Sequence, residues 1–209
     1  MAGLQSWSKL YECRQRVKAA HPSIWRLPVV KKELDRLLPL AESHKRVLEI
    51  GAGDRRFGRR MTAALPDLYY KSMDIDRETE QDYYSLDDLD ETFDFIYAFE
   101  LIEHLTPDDG LELMRHAHRL LRPEGVLLLG TPNLYHPNRY FGDITHKTPY
   151  KYAELGGLMV MAGFKVPRFF RIYNDAFLRR TFRLNIGVWL HRYLDIDFAH
   201  TILAEAERP

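Results

Sequence analysis

The stretch "RVLEIGAGDRRFGRRM", residues 46–61, decides the fold class. Val47, Leu48 and Ile50 form a short apolar run, which Gly51 and Gly53 break. Phe57 and Met61, four apart, mark the buried face of a helix that starts at once. A strand that passes through glycines into a helix is a cradle for a nucleotide-like ligand. Two fingerprints compete for it. The dinucleotide form G-x-G-x-x-G needs a third glycine at position 56, where Arg56 stands. The form E-x-G-x-G-x-G, counted from Glu49, needs it at position 55, where Arg55 stands. The stretch alone does not choose between them.

Outward from it, strands and helices alternate. Residues 4–42 read as helical with a break at "AAHPSIW", and Val29, Val30, Leu34, Leu37 and Leu38 form a stripe that would cover a sheet. After the strand at 46–50 and its helix come "LYYKSMDI", a short third strand near "DYYSL", and "FDFIYAFE", apolar on both faces like a central parallel strand. The next helix opens at "TPDD", with Thr106 as N-cap, Pro107 in the first turn and Asp109 three beyond the cap. "RPEG" ends it, "VLLLGTPN" is the fifth strand, a helix runs from "TPYKYAEL" to Gly163, and "FKVPRFFRI" and "AHTILAEAE" are late strands. This alternation predicts a doubly wound α/β sheet with helices on both faces. Ligands then lie beyond the carboxyl ends of the strands.

Composition narrows the classes. The chain has 209 residues, 45% of them hydrophobic, which suits one folded domain and excludes a disordered polymer. Thirty basic residues balance thirty acidic ones, so no global charge draws it to nucleic acid. Cys13 is the single cysteine and no cationic-then-apolar leader is present, which predicts a reducing cytoplasm. Runs such as "VLLLG" are too short to span a bilayer. Charge is still segregated: residues 74–94 hold ten acids against Arg77, and residues 165–192 hold seven bases against Asp175.

The strand ends carry the polar residues: Glu49, Gly51, Ala52 and Gly53, then Asp74, then "ELIEH" and "TPN". Asp74 directly ends an apolar strand, at a spacing that suits a carboxylate gripping ribose hydroxyls. With these residues in view, the segment 45–165 resembles class I S-adenosylmethionine-dependent methyltransferases. "VLEIGAGDRRF" is similar to that family's first motif, "MDID" to its acid-ended second strand, "LLRPEGVLLLGTPN" to its fifth strand, and "THKTPYKYAELGGLMVMAGF" to a common later segment.

The resemblance implies a seven-stranded Rossmann-like sheet whose last strand is antiparallel, with S-adenosylmethionine as cofactor. It implies that Glu49, Gly51, Ala52 and Gly53 form the floor under the methionine end. Asp74 would hold the ribose, Ile75 would pack on the adenine, Asp82 would sit near the adenine amino group, and Glu100 would complete the cofactor site. The missing glycine at Arg55 predicts a relaxed turn there.

Removing a proton from an acceptor hydroxyl suits an imidazole. His104 and His146, both on the reactive edge, are the catalytic candidates together with Glu103. Glu100, Glu103, His104 and His146 also resemble the metal-binding pattern of small-RNA 3′-terminal ribose methyltransferases; neutral overall charge weighs against RNA, and no metal is assigned.

The chain thus reads as an enzyme that methylates a small-molecule, glycan or lipid-linked acceptor, at oxygen in preference. A non-catalytic cofactor-binding scaffold and a nicotinamide dehydrogenase are the competing classes. Residues 171–197 form a long connection between the late strands, rich in arginine and aromatic residues. They read either as an acceptor-site lid that favours an anionic acceptor or as a packing helix or dimer surface.

Overall fold

The computed structural model describes residues 7–209, so the start of the expected N-terminal segment lies outside the described residues. One sheet holds β1 (Val29–Val30), β2 (Arg46–Ile50), β3 (Tyr69–Met73), β4 (Phe93–Phe99), β5 (Leu121–Pro132), β6 (Arg168–Ile172) and β7 (Thr201–Glu207). Their order is β1-β6-β7-β5-β4-β2-β3. β7 runs antiparallel to β5 and β6, and every other pairing is parallel.

Alternation along the strands sorts side chains into two cores. Leu48, Ile50, Ile96 and Leu127 pack with Leu10 and Val17 of α1 (Trp7–Ala20), Leu111 and Met114 of α4 (Pro107–Leu120), and Leu155 and Met159 of α6 (Tyr152–Met161). On the other face, Val47, Phe95 and Tyr97 pack with Leu37 of α2 (Leu34–Ser43) and Met61 of α3 (Arg56–Ala64). A short α5 (Pro137–Tyr140) follows β5. Between β6 and β7 lie α7 (Phe177–Phe182), a π turn (Arg183–Gly187) and α8 (Val188–Tyr193).

Three elements differ from the sequence reading. Val29 and Val30 form an edge strand on β6, not part of a helical stripe. Leu27, preceding Pro28, is held extended at φ −68°, ψ 135°, and two β-branched valines carry that conformation on. The third strand expected at "DYYSL" is reduced to one bridge, Met73 to Tyr83. There Ser85 caps a 3-10 turn, Leu86–Asp88, and lifts the chain off the sheet edge. The fifth strand also starts earlier than expected, at Leu121, with Glu124 in left-handed conformation.

A buried ion pair locks the late strands to the N-terminal segment. Arg171 Nη1 donates to Asp197 Oδ1 at 3.0 Å, and Arg171 Nε donates to the Leu27 carbonyl at 3.1 Å. Asn133, from the "TPN" strand end, is fully buried and donates to Asp197 Oδ2 at 2.9 Å and to the Ala199 carbonyl at 2.8 Å. Its role is therefore structural. Removing one partner strands the other charge in the core, so Asp197→Ala should lower stability by about 3–5 kcal/mol in urea unfolding. The double change Arg171→Met/Asp197→Leu should recover most of that loss; equal losses in both variants would show that the pair is not what the core depends on.

Candidate active site

Strand order reverses between β2 and β4, and the crevice lies at their carboxyl ends beside β3. Gly51 and Gly53 turn the chain there with φ of +73° and +47°, angles open to glycine at little cost. The Gly51 and Ala52 amides donate to the Met73 carbonyl at 2.8 and 3.2 Å. Asp74 ties the tips together: Oδ2 accepts from the Gly53 amide at 2.8 Å and Oδ1 from the Asp76 amide at 2.9 Å. A carboxylate has about four acceptor sites, so each oxygen keeps one for a further donor. Beside it Ile75 is 81% exposed, an apolar side chain at the mouth of the crevice.

Beneath the glycines, Glu49 is buried and accepts the Tyr70 hydroxyl proton. Burial raises its pKa, while hydrogen bonds from Tyr70 and Tyr97 oppose the rise. A Cβ on Gly58 would stand 2.2 Å from the Tyr70 ring, so glycine in mid-α3 is what lets Tyr70 reach Glu49. Sequence reasoning passed over Gly58, although a glycine inside an amphipathic helix was the signal. It also missed Gln81, which is buried and donates from Nε2 to the Gly53 carbonyl at 2.8 Å.

One expectation is overturned at this turn. The turn at Arg55 is not relaxed: Arg55 adopts φ 58°, ψ 26°, the left-handed conformation a glycine would take, at a cost of roughly 1–2 kcal/mol. Its guanidinium bonds the Glu80 carbonyl and lies 3.4 Å from Asp82. Asp82 makes its contacts within the protein. Its carboxylate accepts from Lys71 Nζ at 3.0 Å, the Ser72 amide at 2.9 Å and the Ser72 hydroxyl at 3.0 Å, which ties the loop to β3 and lowers its pKa despite partial burial.

At the end of β4, Glu100 has φ 51°, and its carboxylate accepts from Thr201 Oγ1 at 3.4 Å. It lines a cavity of about 150 Å³ with Glu33, Arg56, Phe57, Phe99, Arg139 and Thr201. Burial raises its pKa, and the Arg139 charge opposes the rise. Glu100 therefore faces α2 and α3, whereas Glu103 turns to the opposite side.

Glu103 is fully buried. Its backbone carbonyl accepts from the Lys147 and Thr148 amides at 2.8 and 3.0 Å, which docks the loop carrying His146. Oε2 accepts from Thr131 Oγ1 at 3.0 Å; Oε1 has no hydrogen-bond partner and lies 4.0 Å from His146 Nε2. Desolvation, aided by the Glu100 charge, pushes its pKa up to about 8.

His146 Nδ1 lies 2.7 Å from the Tyr140 carbonyl, an acceptor only, so Nδ1 carries a proton and Nε2 is turned toward Glu103. Thr145 Oγ1 donates to Asp143 at 2.6 Å and lies 3.0 Å from His104 Nδ1, which therefore donates to it. Both imidazoles thus offer Nε2. The rings are 4.9 Å apart, and one ligand atom each of Glu103, His104 and His146 lies within 4.8 Å of the others. The three residues singled out as catalytic come together in space.

A family model described as a methyltransferase domain matches residues 24–171. The chain belongs to the methyltransferase-domain family. No curated protein matches this methyltransferase in sequence. Among solved structures, a SAM-dependent methyltransferase from Archaeoglobus fulgidus aligns with TM-score 0.69 and 17% identity, over 97% of this chain and all of the other. The N-methyltransferase NodS from Bradyrhizobium japonicum aligns with TM-score 0.55 and 13% identity, over 84% and 93%. A Haloferax volcanii methyltransferase, solved with the Trm112 methyltransferase activator, aligns with TM-score 0.57 and 15% identity, over 97% and 98%. These likenesses establish the fold, including the antiparallel last strand. Among the described residues, no helix is long and apolar enough to cross a membrane.

Glu103 makes the stability of this methyltransferase depend on pH. Its folded pKa, about 8, exceeds the ordinary 4.5, so the folded state keeps a proton that the unfolded state releases. Stability attributable to it is complete below about 4.5 and is lost as pH rises to about 8. In chelator-treated protein, Glu103→Gln should gain stability over wild type across that interval, by on the order of a few kcal/mol at its upper end. A constant difference between the two proteins from pH 5 to 9 would show that Glu103 is already ionised.

Proposed function

We propose that this methyltransferase uses S-adenosylmethionine to methylate a hydroxyl of a small-molecule, glycan or lipid-linked acceptor. The observation that carries it is the approach of His146 Nε2 to the unpartnered Glu103 Oε1, 4.0 Å apart, at the edge where Asp74 stands. The cofactor fits the residues present. Asp74 retains an acceptor site on each oxygen for ribose hydroxyls, Ile75 offers an uncovered apolar wall, and open space at Gly53 allows close approach.

When bound, the cofactor supplies an electrophilic methyl group on a sulfonium. The chain must align the acceptor and take its proton. His146 Nε2 is the base: its proton on Nδ1 is fixed by the Tyr140 carbonyl, so the ring accepts only at Nε2. Glu103 Oε1 lies beside the His146 ring and helps to position it, and His104, held by Thr145, orients the hydroxyl. Residues 171–197 form one wall of the acceptor site, where Arg183 and Arg139 favour an acceptor bearing phosphate or carboxylate.

A second reading is favoured by the shared orientation of both imidazoles. Histidines with Nδ1 held by a carbonyl or hydroxyl and Nε2 free, beside an unpartnered carboxylate oxygen, are arranged as ligands of a divalent ion. Such an ion would activate the same hydroxyl.

Asp74→Ala removes charge-assisted bonds of about 1.5–3 kcal/mol, so S-adenosylmethionine should bind roughly ten- to a hundredfold more weakly by calorimetry. Wild-type affinity in that variant would overturn the cofactor placement. For the chemistry, His146→Ala should slow turnover about 10²–10⁴-fold with cofactor affinity unchanged. Activity that chelator leaves intact supports the base; activity lost to chelator and restored by Mg²⁺ or Mn²⁺ supports the ion.

A further inference from the structure

The segment that joins β6 to β7 has an inner face and an outer face of different chemistry. From Phe177 to Tyr193 it is helical throughout, as α7, the π turn and α8. Its inner face is anchored. Leu184 packs on the cluster of Tyr173, Phe198 and Ala199, His191 meets Phe198 edge-on at 5.2 Å, and Arg183 lies 3.7 Å from Asp175. The outer face carries Leu178, Phe182, Ile186, Trp189 and Tyr193, at steps of four, four, three and four residues. That spacing lines them along one side of a helix. All five are exposed, Trp189 at 70% and Tyr193 at 85%. A stripe of this size on a globular surface marks a site of association.

Charge selects the occupant. Besides the inward Arg183, the segment carries Arg179, which pairs with Asp175 at 3.4 Å, Arg180 and Arg192, and no acid occurs between Asp175 and Asp195. A second copy meeting this face about a two-fold axis would set the same arginines against each other. An anionic bilayer surface matches both features. Apolar side chains of an in-plane helix enter the headgroup boundary, tryptophan and tyrosine sit at that depth, and arginines meet lipid phosphates. The segment leaves β6 at Ile172, and β6 runs parallel to the strands whose carboxyl ends carry Asp74 and Glu103. A bilayer on the outer face would therefore lie at the reactive edge of the sheet.

We infer that the Phe177–Tyr193 segment is an in-plane amphipathic helix that docks this methyltransferase on an anionic lipid surface. The docking goes beyond methyl transfer and does not rest on the identity of the acceptor.

Sedimentation of the purified full chain with vesicles tests it. The protein should pellet with phosphatidylcholine–phosphatidylglycerol vesicles, stay in solution with phosphatidylcholine alone, and lose binding as salt rises. Phe182→Ser/Trp189→Ser changes only exposed side chains, so its thermal melt should match wild type while its partition falls about tenfold or more. Arg179→Glu/Arg192→Glu should lose the preference for the anionic vesicles and serves if the first variant fails to fold. Wild-type protein that ignores both vesicles, or variants that bind as wild type does, overturns the inference. So does light scattering that shows a dimer which the first variant dissolves, since the occupant would then be a second copy.

Discussion

The burial of Glu103 is the constraint on which the reactive edge depends. One residue makes three attachments: its carbonyl anchors the 147–148 backbone, Oε2 accepts from Thr131 at the end of β5, and Oε1 faces His146. The loop after α5 is thereby held against the turn that follows β4, and two histidines distant in sequence come within 4.9 Å. A wholly buried carboxyl is costly when ionised, so the fold keeps it protonated near neutral pH or beside a positive charge. That cost is the reason a proton acceptor, or a cation, has a place there.

The opposite wall of the crevice is built by a different economy of atoms. Asp74 uses one acceptor site on Oδ2 to tie the tip of β2 to β3 and one on Oδ1 to hold its own turn, and leaves the others free. Gly51 and Gly53 take left-handed angles without penalty, whereas Arg55 takes one with a penalty. Contacts of its guanidinium with Glu80 and Asp82 offset part of that strain. Glu100, another non-glycine with positive φ, sits at the end of β4. Backbone strain of this kind concentrates where surrounding structure holds a functional geometry.

Where a pattern is periodic, it was legible in the sequence. Alternating apolar strands, the Thr106 cap and the glycine turn predicted the sheet, its helices and the positions of Asp74, Glu103, His104 and His146. What failed depended on local competition or on tertiary partners. Val29 and Val30 looked helical because the stripe continued through Leu34 and Leu37, but Pro28 and β-branching favour the extended chain. The resemblance alone placed Asp82 in the cofactor site, and its contacts with Lys71 and Ser72 depend on tertiary placement that the sequence does not display. The buried bonds of Asn133 to Asp197 and the Ala199 carbonyl were likewise not visible in the "TPN" strand end. Gly58 was invisible because its reason is a tyrosine on a neighbouring strand.

The central claim is that the crevice between the tips of β2, β3 and β4 is an S-adenosylmethionine site. The most direct measurement is the melting temperature of the purified chain with S-adenosylmethionine, S-adenosylhomocysteine and NAD, each at a concentration well above micromolar. Selective binding to the folded state raises the melting temperature with ligand concentration. The account predicts a dose-dependent rise with both adenosyl ligands and none with NAD. A rise with NAD, or no rise with either adenosyl ligand, would contradict it.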